Sequence, residues 1–216
     1  MAYRQTARVQ EQLQDKRDRI LQAVRAVVGE VGFHGAQIAV VAEAAGIAAG
    51  TIYRHFPSKG ELFAETLALN SRHEIDVMAA VARSDGSAAA RLADAVRVFA
   101  FRAARARRLA YAMFAEPAEP EVDAARLVYR RAFADVLEGL IEDGVAAGEF
   151  PPQNARVSAA CLIGALIEGL IGPLAPEAGD LPNTKTLVEG ICAFCLQAVS
   201  ARPPGPPPLR SVESPT

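Results

Sequence analysis

Residues 32–63 read GFHGAQIAVVAEAAGIAAGTIYRHFPSKGELF, and the fold turns on how this stretch is parsed. Ile38, Val41, Ala42 and Ala45 recur at the three-and-four spacing of one helix face, which predicts a short helix over 37–45. Gly46 breaks it, apolar Ile47 follows, and a second, shorter element fits 48–55. Two helices that meet steeply need a small residue inside the first, here Ala42, and a glycine at the corner. Ile52 and Phe56 lie four apart and share a face that can plug the second helix into a core, leaving Gly50, Thr51, Tyr53, Arg54 and His55 for its other faces. Pro57 ends this element. Ser58, with Glu61 three residues on, forms a capping box that opens a helix to about Arg83, with Leu62, Phe63, Leu67, Ile75 and Met78 available for burial. Upstream, Ile20, Leu21, Val24, Val27, Val28 and Val31 line one face of a helix from about Asp15, with Gly32 as its stop.

Outward from this stretch the pattern stays helical, with no sustained alternation of period two. Helices are expected over about 88–104, 106–115, 121–147, 153–173 and 184–201, separated by Glu116-Pro117, 148–152 and 173–182. The fold class is therefore all-α: a three-helix helix-turn-helix domain over 1–60, a larger helical domain over 61–201, and a proline-rich disordered tail over 202–216. With 216 residues, 51% hydrophobic and 22% charged, the chain can bury a core without disulfides. Three cysteines and a first twenty residues without an apolar run point to a reducing, cytoplasmic setting. The apolar run 159–176 is interrupted by Glu168 and closed by Pro173 and Pro176, so it reads as a buried helix rather than a membrane span.

Charge is uneven. Residues 1–60 carry eight Lys/Arg against five Asp/Glu, net +3, and the remainder carries −5, which together make the chain's −2. A mildly basic front on an acidic body suits a protein that offers only its N-terminal end to a polyanion. Cys192 and Cys195 spell CxxC, but they lie mid-helix among Ile191, Leu196 and Val199 with no second ligand pair, so apolar packing is expected and no metal. The acidic run Glu116, Glu119, Glu121 and Asp123 sits at a helix start, where it complements the helix dipole. His34 and His73 read as solvated residues of a turn and a helix. No phosphate loop, nucleophile elbow or metalloprotease helix is present, so no catalytic residue and no cofactor are expected, and the chain is not read as an enzyme.

The quoted stretch resembles the DNA-binding signature of the TetR/AcrR family of transcriptional regulators. The likeness rests on Ala42, Ala45-Gly46-Ile47, Gly50-Thr51-Ile52-Tyr53, His55-Phe56, Ser58-Lys59 and Leu62-Phe63, and covers about the first third of the chain. It implies that Tyr53, His55 and Lys59 contact phosphates, which set affinity and register. It also implies that Ala49, Gly50, Thr51 and Arg54 approach base edges, with Arg54 alone able to grip guanine bidentately. Ala36 and Ala48 stand where most members carry Ser or Thr, so two helix caps are missing, and Gln37 can replace part of the lost phosphate contact. Arg4 and Arg8 lie in an arm over 1–14, which is either an idle leader or, as such arms often are in the family, a reader of the adjacent minor groove.

Two readings remain at this point: a repressor that binds a palindromic double-stranded operator as a homodimer and leaves it on binding a small apolar or aromatic effector, or an all-helical small-molecule binder or enzyme whose first three helices are scaffold. The polar offsets Gly50-Thr51, Tyr53 and Lys59 separate them, since a scaffold has no need of those residues. For the first reading, Cys161, Ala165, Gly169 and Gly172 form a small-residue stripe that, with Ile191 and Phe194, is expected to build a four-helix dimer interface. Phe99, Phe101, Tyr111, Met113, Phe114, Tyr129 and Phe133 cluster as an effector pocket, with Arg102 and Tyr111 as polar anchors.

Overall fold

A computed structural model describes residues 7–179 and 183–201, with side chains from residue 10 onward. Arg4 and the tail 202–216 lie outside the described residues, and so does the side chain of Arg8. Nine α-helices are present among the described residues: α1 (Ala7–Gly35), α2 (Ile38–Ala45), α3 (Ala49–His55), α4 (Lys59–Ala82), α5 (Ala88–Arg105), α6 (Arg107–Phe114), α7 (Pro120–Ala146), α8 (Ala155–Leu174) and α9 (Thr184–Ser200), with a 3-10 turn at Pro176–Ala178.

From α2 onward each helix begins and ends within about two residues of its expected limits, because side-chain caps and breakers act locally. The Ser58 hydroxyl accepts from the Glu61 amide at 3.0 Å, as the capping box requires. Ser87 and Asn154 cap α5 and α8 in the same way. Gly46 takes the left-handed conformation (φ 66°, ψ 38°) that ends α2, and Ile47 N–H returns to the Ala42 carbonyl. Gln37 and Ala48, at the caps of α2 and α3, make no side-chain capping bond.

The first helix departs from expectation twice. It starts at Ala7, so residues 7–14 are helical rather than an extended arm. Gly32 does not end it but kinks it, at φ 73° and ψ −179°, and one further turn carries the chain to Gly35. The side-chain geometry behind this kink is tertiary and is described below.

Two apolar cores divide the molecule. One gathers Ile20, Leu21, Val24 and Val28 of α1, Val41 and Ala42 of α2, Ile52 and Phe56 of α3, and Leu62, Phe63 and Leu67 of α4. Leu109, Ala112 and Met113 of α6 and Val122 of α7 complete it. The helix-turn-helix is therefore not packed as an independent unit ending at residue 60, since four of its core side chains come from the far half of the chain. The second core is built by α5, α7, α8 and α9, with Leu137, Ile141, Leu166 and Leu170 essentially buried. Helix α8 is long and apolar enough to cross a membrane by length and composition, but Leu162, Ile163, Leu166, Ile167, Leu170 and Leu174 are core residues.

Cys192 and Cys195 face this second core. The Cys192 thiol lies 3.7 Å from the Ala93 carbonyl, and burial pushes the Cys195 thiol up to about 11. Both are packing residues.

Candidate functional site

Helix α3 is held by two buried side chains, Ile52 and Phe56, each 1% exposed. The Arg17 guanidinium covers the Phe56 ring at 4.5 Å and pairs with Glu65. Arg19 donates to the Ala45 carbonyl at 3.2 Å, tying the end of α2 to α1. This fixes which face of α3 looks outward: Ala49, Gly50, Tyr53 and Arg54 are exposed, and Thr51 and His55 are half-buried beside them. Nothing lies within 4 Å of where a Gly50 side chain would start, so an incoming surface can meet the backbone there. Desolvation, and then Arg17, Lys16 and Arg54, hold the His55 pKa below its ordinary value, which marks this end of the domain as electropositive.

Lys59 and Gln37 are engaged elsewhere in this state. The Lys59 ammonium is 3.1 Å from Glu119 of the α6–α7 connection and 4.9 Å above the Phe63 ring. The Gln37 amide donates to the His34 carbonyl at 3.1 Å.

A narrow cleft of about 60 Å³ opens between α1, α4, α5, α6, α7 and α8. Its aromatic wall is a triad in which Phe99 stacks on Phe114 (centroids 5.6 Å) and meets Phe133 edge-on (5.2 Å). Leu67, Leu109, Met113, Tyr129 and Ile167 extend the lining. Of the expected effector residues, Phe99, Arg102, Phe114, Tyr129 and Phe133 come together here. Tyr111 does not: its side chain is half-buried against the second core, because α6 turns positions 109, 110, 113 and 114 toward the cleft. Phe101 also points away, 47% exposed.

Arg102 lines the cleft, but in a bidentate pair with Glu74 (2.5 and 2.9 Å) and 3.0 Å from His73 Nε2. His73 is exposed, as expected of a solvated helix residue, and its ring nitrogen meets Arg102 there. Three further arginines line the cleft that sequence reasoning missed: Arg25, Arg126 and Arg130. Four guanidiniums against one carboxylate, Glu74, leave it electropositive.

Arg126 holds the end of α6. It donates to the carbonyls of Met113 (3.0 Å), Ala112 (2.7 Å) and Glu116 (2.5 Å), and to Asp123 at 2.6 Å. Glu116, expected to complement a helix start, does something else, and this is corrected: it is buried, 6% exposed. Its carboxylate accepts from Phe33 N–H at 3.0 Å, from His34 N–H at 3.5 Å and from Arg108 at 3.0 Å, and Arg108 also donates to the Val31 carbonyl. Arg108 Nη1 is buried without a partner. The carboxylate fits only because residue 32 is glycine, since a Cβ there would lie 2.4 Å from both Glu116 oxygens. Glu119, Glu121 and Asp123 do stand at the start of α7, the latter two in its first turn.

Of the expected interface residues, Cys161, Gly172 and Phe194 are exposed. Ala165, Gly169 and Ile191 are half-buried, and Gly169 receives the Ile191 side chain of its own chain, whose nearest atoms are 3.4 and 3.5 Å from where a Gly169 Cβ would stand.

Residues 20–66 match the family model of bacterial regulatory proteins, tetR family, and residues 85–168 match that of the tetracyclin repressor-like C-terminal domain. The chain belongs to the TetR family. Two curated relatives of this TetR-family chain are the HTH-type transcriptional repressors KstR of Rhodococcus jostii, 44% identical over 54 residues, and of Mycolicibacterium smegmatis, 43% identical over 53 residues. Each alignment spans only about a quarter of this chain (25% and 24%) and 26% of the relative. Among solved structures, FadR of Bacillus subtilis in complex with stearoyl-CoA superposes with a TM-score of 0.73 at 19% identity, covering 84% of this chain and 98% of that one. A Saccharomonospora viridis regulator in complex with choline superposes with a TM-score of 0.72 at 21% identity, covering 88% and 100%. These likenesses extend the shared fold over 84% and 88% of the chain.

Proposed function

We propose that this TetR-family chain is a cytoplasmic, homodimeric transcriptional repressor that leaves a palindromic operator when an anionic amphiphile enters the cleft. The observation that carries this reading is an aromatic cleft ringed by four arginines whose α6 and α7 walls also complete the core of the helix-turn-helix. An apolar body suits Phe99, Phe114 and Phe133, and a carboxylate, thioester or phosphate group suits the guanidiniums. A coenzyme A thioester of a long-chain acid carries both kinds of group, in keeping with the stearoyl-CoA bound by the B. subtilis structure, and the narrow cleft must widen to admit it. A cation such as choline meets the wrong charge here.

On the operator side, Ala49, Gly50, Thr51 and Arg54 face base edges, while Tyr53, His55 and Lys59 take phosphates. Lys59 exchanges Glu119 for a phosphate on binding. The dimer forms on the outward face of α8 and α9, where Cys161 and Gly172 permit close approach and Phe194, 57% exposed, supplies apolar bulk. Pairing the two chains there sets the two copies of α3 one DNA turn apart, roughly 34–36 Å. The test is selection on random duplexes, followed by titration of the selected operator complex with stearoyl-CoA, stearate and choline. Release by the first two but not the third is expected. Failure to recover any preferred duplex overturns the DNA assignment, and insensitivity to all three ligands overturns the effector assignment.

A further inference from the structure

The cleft and the helix-turn-helix share one mechanical element, the α6–α7 connection, and a single side chain faces both. Arg126 lines the cleft, yet three of its four hydrogen-bond partners are neutral carbonyls at the end of α6 and in the turn beyond. Its one salt-bridge partner, Asp123, is 62% exposed, so its charge is only partly neutralised; burial lowers the Arg126 pKa, reinforced by Arg130 and opposed by Asp123 and Glu116. A guanidinium pairs with a carboxylate or phosphate through two parallel hydrogen bonds, adding an ionic attraction that a neutral carbonyl lacks. An anionic head group in the cleft therefore outcompetes the carbonyls for Arg126.

The consequence runs along one residue. Arg126 grips the backbone carbonyl of Glu116, and the side chain of the same Glu116 grips the amides of Phe33 and His34 just past the Gly32 kink. We propose that Arg126 is the positioning residue that reports an anion in the cleft to the DNA-binding helices: it trades its α6 carbonyls for the anion, the Glu116 turn loosens, and the end of α1 is released. This rests on the effector reading above. Arg108 does not replace the lost grip, because it holds the Glu116 carboxylate and not its backbone.

The test uses the full-length protein and amide hydrogen exchange of the segment containing Phe33 and His34, neither of which forms a hydrogen bond with Arg126. Arg126→Gln is expected to speed exchange there about tenfold, the loss of a charged hydrogen-bond network, while exchange within α8 stays as in the parent. Arg131→Gln, one turn on and paired outward with Asp135, serves as the comparison and is expected to leave Phe33 and His34 unchanged. If Arg126→Gln fails to fold, Arg126→Lys, which keeps the charge but reaches fewer carbonyls, is expected to give a smaller rise in the same segment. Unchanged protection of Phe33 and His34 in the folded Arg126 variant overturns the proposal. Stearoyl-CoA added to the parent, with binding followed separately by calorimetry, is expected to reproduce the variant's pattern. Binding without that pattern overturns the relay, whereas no binding counts against the effector class, and the Arg126 variants then decide the relay alone.

Discussion

Gly32→Ala isolates the contribution of the buried Glu116 node, because the structure supplies its own comparison. At Gly32 an added methyl meets two penalties. The backbone sits at φ 73° and ψ −179°, a region essentially reserved for glycine, where a side chain costs about 1–3 kcal/mol. The new Cβ would also stand 1.9 Å from Arg108 Nη2 and 2.4 Å from both Glu116 oxygens, so the carboxylate must leave the amides it accepts from. Breaking a buried pair costs about 3–5 kcal/mol, and the lower end applies because the Arg108 side chain is 28% exposed and water recovers part of it. The total is about 4 kcal/mol or more, a large share of the ~5–15 kcal/mol of a folded protein.

Gly46→Ala meets only the backbone penalty: φ is 66°, ψ is 38°, and nothing lies within 4 Å of the new atom. About 1 kcal/mol is expected there. Urea unfolding followed by far-ultraviolet circular dichroism, with equal slopes checked for each variant, should therefore separate the two by about 3 kcal/mol. The corresponding gap in Tm is about 6–12 °C for a chain of this size. Two variants that agree within about 1 kcal/mol would show that the Glu116 carboxylate is not held as described.

On the operator recovered by selection, Lys59→Ala should weaken binding evenly across sequences and reduce the salt slope by about one per chain, whereas Arg54→Ala should relax preference at one base pair per half-site; gel shift across a salt series reads both, and a sequence-selective Lys59→Ala effect would reverse their roles. His55 is held below its ordinary value in the free domain, chiefly by desolvation, so the ring is neutral at pH 7, and a phosphate contact that favours its charged form makes DNA binding take up a proton. Operator affinity should then rise as pH falls through the usual histidine value of about 6.5 and below, and His55→Ala should flatten that rise in anisotropy titrations. In thiol labelling at pH 7.5, Cys192 and Cys195 should stay unreactive until the protein unfolds, because both are buried and the Cys195 thiol is pushed up to about 11. Cys161 should label quickly in dilute protein and more slowly as concentration rises and the dimer covers it; a rate independent of concentration would place the interface elsewhere.

Local rules carried much of this protein in plain view. The caps Ser58 and Ser87 and the left-handed Gly46 act within four residues, so the limits of the helices from α2 onward followed from the sequence. The outward face of α3 was equally legible, because Ile52 and Phe56 are the only large apolar residues that can turn that helix inward. The clustering of Phe99, Phe114 and Phe133 in one cleft was also readable, since each lies on the apolar side of its own helix. Tyr111 and Phe101 were assigned to the same cleft and do not reach it: they lie on its helices, but the rotation of α5 about its axis is set by packing against α9 and that of α6 by packing against α1 and α8, which no local period records.

What the sequence determined alone is everything governed by the 3.6-residue period and by caps and breakers: the nine helices of the described residues, the helix-turn-helix and its exposed face. What the tertiary structure decided is where charges came to rest. Phe33 and Glu116 are 83 positions apart, and Gly32 looked like an ordinary stop signal until a carboxylate was found against it. Arg126 and Arg108 carry no local signal in the sequence. They became a clasp and a buried partner because two helix ends meet there, and a buried backbone end must find a hydrogen-bonding partner that its own helix cannot supply.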